Sequence, residues 1–255
     1  MDMLYLIIFF ILGLFMGSFY TVVGLRLPNH ENFITNRSYC DKCHHELTLL
    51  DMVPILSYLF LKRRCRYCHS RIDSLSTYME LFTGILFALS YYVFGISYEL
   101  YIALGIVSML IIISVSDIKY LVIPDEILIF FIGYFLIIFG LRDGIINVSI
   151  NLVSGILMFS LMYLIMLIGN FLFKKESLGG GDIKLMFVIG LVLHPLLSLF
   201  VIFFGSLLAL PVSLIILWKT KRNLVPFGPF LLISFAFIYF TRIDFNMIIN
   251  FIKSI

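Results

Sequence analysis

Charged residues are scarce in this sequence of 255 residues, at 13% of the chain against about 25% in soluble globular proteins. Hydrophobic residues make up 62% of the chain, and they fall into long runs. A helix that crosses a bilayer needs about 20 predominantly apolar residues, and several runs reach that length. The composition therefore excludes a soluble globular domain and predicts an all-α polytopic membrane protein embedded in a lipid bilayer.

Basic residues are missing ahead of the first apolar run, which extends from residue 3 to residue 25. A secretory signal has a basic stretch followed by a shorter apolar core. This run is therefore expected to be a retained first membrane helix. The sequence also lacks repeats of about 20 to 50 residues and low-complexity tracts.

About eight transmembrane helices are predicted from the apolar runs. They cover roughly residues 3–25, 77–94, 99–116, 127–141, 146–173, 183–194, 196–218 and 229–241. The sixth and seventh are divided at His194-Pro195, because Pro disfavours helix at the residue before it. The expected organisation has four parts: a first transmembrane helix at 1–25, a loop domain at 26–76, a membrane core at 77–241 and a tail at 242–255.

The placement of positive charge predicts the orientation. Fifteen of the 18 Lys and Arg residues fall on one side of this topology, and the other side has only Arg142, Arg242 and Lys253. Cytoplasmic loops carry the excess of positive charge in membrane proteins. The loops at 26–76, 117–126, 174–184 and 219–228 are therefore predicted to be cytoplasmic, with both termini on the opposite side.

All four cysteines lie in the 26–76 loop, as two pairs with two residues inside each pair and 21 residues between them: Cys40, Cys43, Cys65 and Cys68. Two such knuckles are typical of a four-thiolate zinc site, and a small loop domain gains stability from a metal. The alternatives are two disulfides or free thiols, and a reducing cytoplasm disfavours disulfides. Three histidines beside the knuckles are expected to be solvated or supporting residues rather than ligands: His44, His45 and His69.

Two acids stand at the ends of predicted membrane helices on the same side. Asp117 follows an apolar run, and Asp182 follows three consecutive glycines, Gly179–Gly181. Two carboxyl groups brought face to face keep one protonated and one ionised, which is the arrangement of aspartic proteases. The alternative is that each acid caps or borders a helix end, with Lys119 or Lys184 as its partner.

Three further acids lie at or near helix starts. Asp125 and Glu126 follow Pro124, which matches the preference for Pro and acids in the first turn of a helix, so a structural role is favoured. Glu80 lies early in the second predicted helix, where a lone carboxylate needs a cation such as Arg71 or a functional partner. Structural and functional roles are both open for Glu80.

Several motifs, in this order and topology, resemble the bacterial type IV prepilin peptidases, which are GxGD intramembrane aspartic proteases. The resemblance covers residues 13 to 230, and the competence-type members of Gram-positive bacteria are the most similar. Its motifs are Gly17-Ser18-Phe19, Arg26-Leu27-Pro28, the two cysteine knuckles, Asp117 with Ile123-Pro124-Asp125, Gly179–Asp182 with Lys184, and Pro226–Phe230.

The resemblance implies an endopeptidase that removes the leader of prepilins or pseudopilins at the cytoplasmic side of the bacterial cell membrane. Asp117 and Asp182 would be the catalytic pair. The residues expected to position the substrate are Gly179, Gly180, Gly181, Lys184, Pro226, Gly228 and Pro229. The sequence does not decide which aspartate is the acid and which the base, because the pair titrates as a unit.

A second implied activity is methylation of the new N-terminal amine from S-adenosylmethionine. The family associates Glu80, Gly17 and Ser18 with this reaction. The sequence departs from the family pattern in this half of the chain, with Thr21 in place of the usual Asn and Ser76-Thr77 in place of Tyr-Pro.

Two other classes of protein are weighed against the peptidase. A proton-coupled transporter would have paired acids at mid-span and inverted repeats, and the sequence has neither. A zinc-loop membrane scaffold or nucleic-acid binder would need a strongly basic loop. The 26–76 loop has eight Lys and Arg against five acids, so no nucleic-acid partner is expected. The sequence makes no prediction about the oligomeric state.

Overall fold

The computed structural model describes residues 2–33, 39–40, 42–43, 45–48, 53–61, 63–71, 74–174, 178–220 and 225–242, and the fold is given for these residues. The helices are α1 (Met3–Arg26), α2 (Leu56–Phe60), α3 (Leu75–Phe94), α4 (Tyr98–Tyr120), α5 (Asp125–Phe173), α6 (Gly180–Val192), α7 (Pro195–Thr220) and α8 (Gly228–Phe240), with a short 3-10 turn at Leu27–Asn29 after α1. Apart from two isolated antiparallel bridges, the described residues form helices and turns.

The predicted all-α membrane class is confirmed. Five of these helices, namely α1, α3, α4, α5 and α7, are long and apolar enough to cross a membrane. Helix α5 has 49 residues and contains one residue with non-helical angles, Gly144, at φ 77° and ψ 174°. Gly144 lies between the predicted spans 127–141 and 146–173. Helices α6 and α8 have 13 residues each, which is fewer than a full crossing requires.

The predicted helix boundaries agree with the structure to within a few residues. Helix α6 ends at Val192 and α7 begins at Pro195, as the His194-Pro195 pair predicted. Helix α4 continues four residues beyond the predicted end at residue 116, so Asp117 lies inside the last turn of the helix. The predicted tail at 242–255 lies outside the described residues from residue 243 onward.

The chain divides into two compact units, residues 1–100 and 101–255. In the first unit, α1 packs along α3. Their backbones approach closely where glycines face the partner helix: a Cβ atom added at Gly13 would lie 2.7 Å from the Gly84 Cα atom. Small residues at such contacts are the usual means of packing membrane helices. The division of the chain into four parts, predicted above, stays a prediction. Helix α3, which that division assigned to the membrane core, belongs with α1 to the first compact unit.

In the second unit, α5 packs on α6 and α7 packs on α8. The contact between α5 and α6 is also close, since a Cβ added at Gly190 would lie 2.8 Å from the Met158 side chain. The Ser154 hydroxyl donates to the Leu193 carbonyl across this contact, at 3.1 Å. Helix α4 is buried along nearly its whole length, and Gly105 admits the Tyr134 ring against its backbone. These contacts hold the C-terminal end of α6 against α5.

The close contact between α1 and α3 predicts that Gly13→Leu destabilises the protein. The new side chain would meet the backbone of α3, and overpacking of this kind costs about 1–3 kcal/mol of the free energy of unfolding. Thermal unfolding of the purified protein in detergent measures the effect. The control is Gly133→Leu, because a Cβ at Gly133 meets nothing within 4 Å. Equal unfolding temperatures for the two variants would contradict the prediction.

Candidate functional site

A cavity of about 280 Å³ in the second unit contains the predicted pair of aspartates. It lies where α4 ends and where α5 and α6 begin. Its lining residues are Asp117, Leu121, Val122, Ile123, Asp125, Gly179, Gly180, Gly181, Asp182 and Lys184. The structure thus brings together side chains that are separated by more than 60 residues in the sequence.

Asp117 is the buried member of the pair, with 6% of its surface exposed. Its Oδ2 atom accepts a hydrogen bond from the backbone N–H of Gly228, at 3.0 Å. Gly228 is the first residue of α8, so the carboxylate faces the positive end of that helix. A Cβ atom at Gly228 would lie 3.0 Å from Oδ2 of Asp117. Glycine therefore lets the backbone approach the carboxylate without a crowded side chain between them.

Asp182 is the third residue of α6, and Gly179 is the N-cap. The N-cap position, where an Asp side chain usually accepts bonds from the first turn, therefore has no side chain. Asp182 lines the cavity, and its carboxyl group is close enough to that of Asp117 for the two to interact electrostatically. A Cβ at Gly179 would lie 3.1 Å from Oδ2 of Asp182, so this glycine leaves the carboxyl group accessible.

The connection between α4 and α5 forms one wall of the cavity and is held by two hydrogen bonds. The Ser116 hydroxyl donates to the Val122 carbonyl at 2.6 Å, and the Leu121 N–H donates to the Asp117 carbonyl at 2.9 Å. Leu121 has a φ of 56°, which closes the last turn of α4. The next residue but one, Ile123, packs where a Cβ at Gly181 would lie, at 2.9 Å.

Lys184 pairs with Asp125 rather than with Asp182. Its Nζ atom donates to both oxygens of Asp125, at 2.8 and 2.7 Å. Asp125 is the first residue of α5, as the preference for acids at helix starts predicted. Both side chains remain about half exposed, at 51% for Lys184 and 56% for Asp125.

The Pro226–Phe230 motif reaches the site through its backbone. Phe227 is the N-cap of α8, and Pro229 stands in the first turn. Of this motif, Gly228 contacts Asp117, while Pro226 and Pro229 are not among the residues that line the cavity in the described part of the chain. The motif thus forms the entry to α8 and presents the Gly228 amide to Asp117.

Sequence reasoning missed the contributions of Ser116 and Ile123. Ser116 is completely buried beside Asp117 in the sequence, and its hydroxyl bond crosses the α4–α5 turn. A Ser next to a functional acid could have suggested this bond. Ile123 gave no signal, since its contact with Gly181 depends on the packing of two segments far apart in the chain.

A second buried carboxylate, Glu80, lies in the first unit with 7% of its surface exposed. Its Oε2 atom accepts the backbone N–H of Ile55 at 2.9 Å, and it also forms a hydrogen bond with the Ser18 side chain. Gly17 packs directly on the backbone of Glu80, since a Cβ at Gly17 would lie 2.8 Å from the Glu80 Cα. The structure therefore brings Gly17, Ser18 and Glu80 together. Within the described residues, Glu80 forms no ion pair with Arg71.

The two cysteine knuckles have the same backbone geometry. In the first, Tyr39 bridges Glu46, and the N–H of Cys40 donates to the His45 carbonyl at 3.0 Å. In the second, Arg64 bridges Arg71, and the N–H of Cys65 donates to the Ser70 carbonyl at 2.9 Å. The two turns therefore have the same register relative to their first cysteine.

The four sulfur atoms of these knuckles fit a metal ion. All four are free thiols and lie within 4.8 Å of one another: Cys40, Cys43, Cys65 and Cys68. The sulfurs of Cys40 and Cys68 are 3.8 Å apart. Four thiolates at about 2.3 Å around a tetrahedral ion would be about 3.8 Å apart, which matches this distance. Cys65 is 2% exposed, so the cluster is anchored in the small core of the loop.

The surroundings favour the thiolate at Cys40 and Cys68, whereas the pKa of the Cys43 thiol is raised to about 11 beside the other sulfurs. Backbone N–H groups of Cys43 and Lys42 lower the pKa of the Cys40 thiol to about 6. The Ser70 hydroxyl, followed by its backbone N–H, lowers the pKa of Cys68. Thiolate is the form that binds metals. Of the histidines predicted not to be ligands, His45 contacts the ring of Tyr67, with ring centroids 3.6 Å apart. His44 lies outside the described residues.

Comparison with known proteins gives consistent results along the chain. The profile of the bacterial peptidase A24 N-terminal domain matches residues 11–94, and that of the type IV leader peptidase family matches residues 104–214. The two matches fall within the two compact units. No solved structure matches the chain.

Three relatives have the same name, prepilin leader peptidase/N-methyltransferase. The protein of Bacillus subtilis is 39% identical over 225 residues, which cover 87% of this chain and 88% of that protein. The protein of Vibrio cholerae is 31% identical over 260 residues, covering 94% and 98%. The protein of Neisseria gonorrhoeae is 28% identical over 258 residues, covering 92% and 89%.

The geometry of the cluster predicts that the purified protein contains about one metal ion per chain, and that Cys65→Ser abolishes this metal content. Three thiolates and a hydroxyl bind a soft or borderline ion far more weakly than four thiolates. Elemental analysis of the purified protein measures the content. Ser90→Ala, which changes a buried hydroxyl of α3 away from the knuckles, is the control. A metal content unchanged by Cys65→Ser would contradict the prediction.

Proposed function

Because the chain belongs to the type IV leader peptidase family, we propose that it cuts prepilins or pseudopilins with Asp117 and Asp182 as its catalytic pair. It is a peptidase with an associated N-methyltransferase activity. The observation that carries the assignment of the pair is that both carboxyl groups line one cavity of about 280 Å³. Family membership decides against the transporter and the scaffold that the composition left open.

Proton transfer in this cavity follows from the proximity of the two acids. Two carboxyl groups that face each other share one proton, because like charges disfavour the doubly ionised state. The ionised group accepts a proton from a water molecule as the water oxygen attacks the peptide carbonyl carbon. The protonated group donates its proton to the carbonyl oxygen. When the intermediate collapses, the C–N bond breaks. The leaving amine takes the proton that the first carboxyl group accepted from water, and the second carboxyl group takes back a proton from a hydroxyl of the intermediate. The pair acts as a unit through both steps.

The glycines around the pair are proposed to admit the substrate. A peptide must be extended at the bond that is cut, because helical carbonyls are already hydrogen-bonded. Gly179–Gly181 line the cavity without side chains, so an extended strand can approach their backbone. The turn formed by Pro226, Gly228 and Pro229 reaches the cavity through the Gly228 amide and is proposed to border the path by which the substrate enters, whereas Lys184 is engaged by Asp125.

The protein is proposed to lie in the inner membrane of a bacterium, with the cavity open to the cytoplasmic side. The helices identify a multi-pass membrane protein. The excess of Lys and Arg in the loops next to Asp117 and Asp182 supports the cytoplasmic orientation.

Zinc is the ion proposed for the four-cysteine cluster. A tetrahedral set of four thiolates without an open position is typical of structural zinc. Its role would be to stabilise the small loop between α1 and α3, which has little hydrophobic core of its own.

Methyl transfer is proposed to involve the group around Glu80. When bound, S-adenosylmethionine supplies an electrophilic methyl group. A buried carboxylate suits cationic ligands, and both a sulfonium and a protonated amine are cations. Glu80 would accept the proton that the new N-terminal amine must lose before it attacks. Ser18 and the Ile55 N–H hold the carboxylate in place, and the absence of a side chain at Gly17 lets α1 approach it.

Single Asp117→Asn and Asp182→Asn changes are each expected to reduce leader removal by at least about a thousandfold, because an amide cannot exchange the proton of the pair. Conversion of a prepilin by the purified enzyme in proteoliposomes, followed by gel shift, measures the rate. Asp143→Asn changes a half-buried acid outside the cavity and should cleave at the wild-type rate. Full processing by either active-site variant would remove that residue from the pair.

Glu80→Gln is expected to lower N-terminal methylation by at least about tenfold while leader removal continues, since loss of one positioned proton acceptor typically costs at least that much. Mass spectrometry of the mature N-terminus, with S-adenosylmethionine present, measures the methylated fraction. Glu31→Gln, an exposed glutamate of the same unit, is the control. An unmethylated product from the wild-type enzyme would refute the methyltransferase activity, and full methylation by the variant would refute the role of Glu80.

A further inference from the structure

The segment Ile123–Asp125 contacts α6 on both sides of Asp182 in the sequence. One residue before the aspartate, Gly181 packs on Ile123, where an added Cβ would lie 2.9 Å from the Ile123 Cβ. Two residues after it, Lys184 binds both carboxylate oxygens of Asp125 at 2.7 and 2.8 Å. The start of α6 is thus held at two points against one short segment.

The same segment is tied to Asp117. The Ser116 hydroxyl and the Leu121 N–H hold the turn that leads from Asp117 into Ile123–Asp125, with hydrogen bonds of 2.6 and 2.9 Å. From Asp117 to Asp182, the structure therefore provides a short path of fixed contacts: the turn after α4, then the segment Ile123–Asp125, then the first turns of α6. This path spans 65 positions of sequence.

We propose that the Asp125–Lys184 ion pair is a positioning device that sets the separation of the Asp117 and Asp182 carboxyl groups. This inference rests on the proposed peptidase function and adds two positioning residues to it. The packing of Gly181 on Ile123 sets the shortest distance between α6 and the segment Ile123–Asp125. The ion pair holds α6 and this segment together at that distance.

Because the Asp125–Lys184 pair is about half exposed, its loss is expected to affect the rate of the reaction more than the stability of the protein. An ion pair between side chains that are about half exposed adds little to the stability of a protein. Proton transfer is far more sensitive, since displacing a reacting group by about 1 Å can cost about a hundredfold in rate. Removing the pair should therefore lower kcat without unfolding the protein.

A direct contact of Lys184 with the substrate gives a different result. If the ammonium bound the substrate as its main role, replacing it would raise KM, and a change at Asp125 would not be compensated by a change at Lys184. The positioning role instead makes the two side chains interdependent, so exchanging their charges should preserve the contact.

The test compares purified enzymes in proteoliposomes with a prepilin substrate. Asp125→Asn and Lys184→Met are each expected to lower kcat by roughly 10- to 100-fold, with KM changed less than about threefold. The double variant Asp125→Lys with Lys184→Asp is expected to have a kcat at least about tenfold higher than that of the less active single variant. The conservative Lys184→Arg should keep most of the activity. Asp143→Asn, which breaks the half-buried pair with Arg142 away from the cavity, should not change kcat.

The outcomes separate the inference from the proposed function. No cleavage by the wild-type enzyme would refute the peptidase itself. Cleavage by the wild type together with unchanged kcat in both single variants, a change confined to KM, or a double variant no better than the single variants would refute the positioning role. Unfolding temperatures of all the variants should equal that of the wild type, and a large drop would show that the pair acts on stability instead.

Discussion

The hydrogen bond from the Gly228 amide to Asp117 holds the start of α8 against the end of α4. It is the contact that fixes the orientation of the Asp117 carboxylate in the cavity. It is made at 3.0 Å inside a protein in which few polar groups are buried. A carboxylate at such depth needs donors, and side-chain donors are scarce in a chain with 13% charged residues. A backbone amide at a helix start supplies one without adding a charge. Glycine favours this arrangement, because a Cβ at this position would lie only 3.0 Å from the carboxylate oxygen that accepts the bond.

The first unit uses the same solution for Glu80. There the backbone N–H of Ile55 donates to Oε2 of Glu80 at 2.9 Å. Ile55 itself has a φ of 62°, in the left-handed region. Ile55 belongs to the loop between α1 and α3, which also contains the four cysteines. A metal bound by the four cysteines would therefore also help to place the Glu80 carboxylate, because the backbone of the same loop provides its donor. The repeated geometry of the two knuckles supports that order with few apolar contacts.

The helices could be predicted from the sequence because a lipid environment imposes a length and an apolar composition on each of them. The break at His194-Pro195 and the acid at the start of α5 were also predictable, since they depend on local backbone chemistry. The pairing of Lys184 was not. Three acids line the same cavity as this lysine. Asp182 stands two positions before it on α6, where side chains do not face each other, and Asp125 comes within its reach because the segment Ile123–Asp125 packs on α6 at Gly181. Contacts of that kind depend on the shape of two distant segments, which composition and spacing do not encode.

The two buried carboxylates differ in how fully their oxygens are occupied, and this difference matches their proposed roles. A carboxylate offers about four acceptor positions. Asp117 receives one backbone amide, and its neighbour in the cavity is another acid. Glu80 receives a backbone amide and the Ser18 side chain. A carboxylate with unused acceptor positions beside a second acid binds a proton or a water molecule readily, which suits a pair that exchanges protons with a substrate. A more fully bonded carboxylate keeps one orientation, which suits the binding of a cation. The proposed catalytic role of Asp117 therefore depends on its having few hydrogen-bond partners in a cavity where glycines leave space around it.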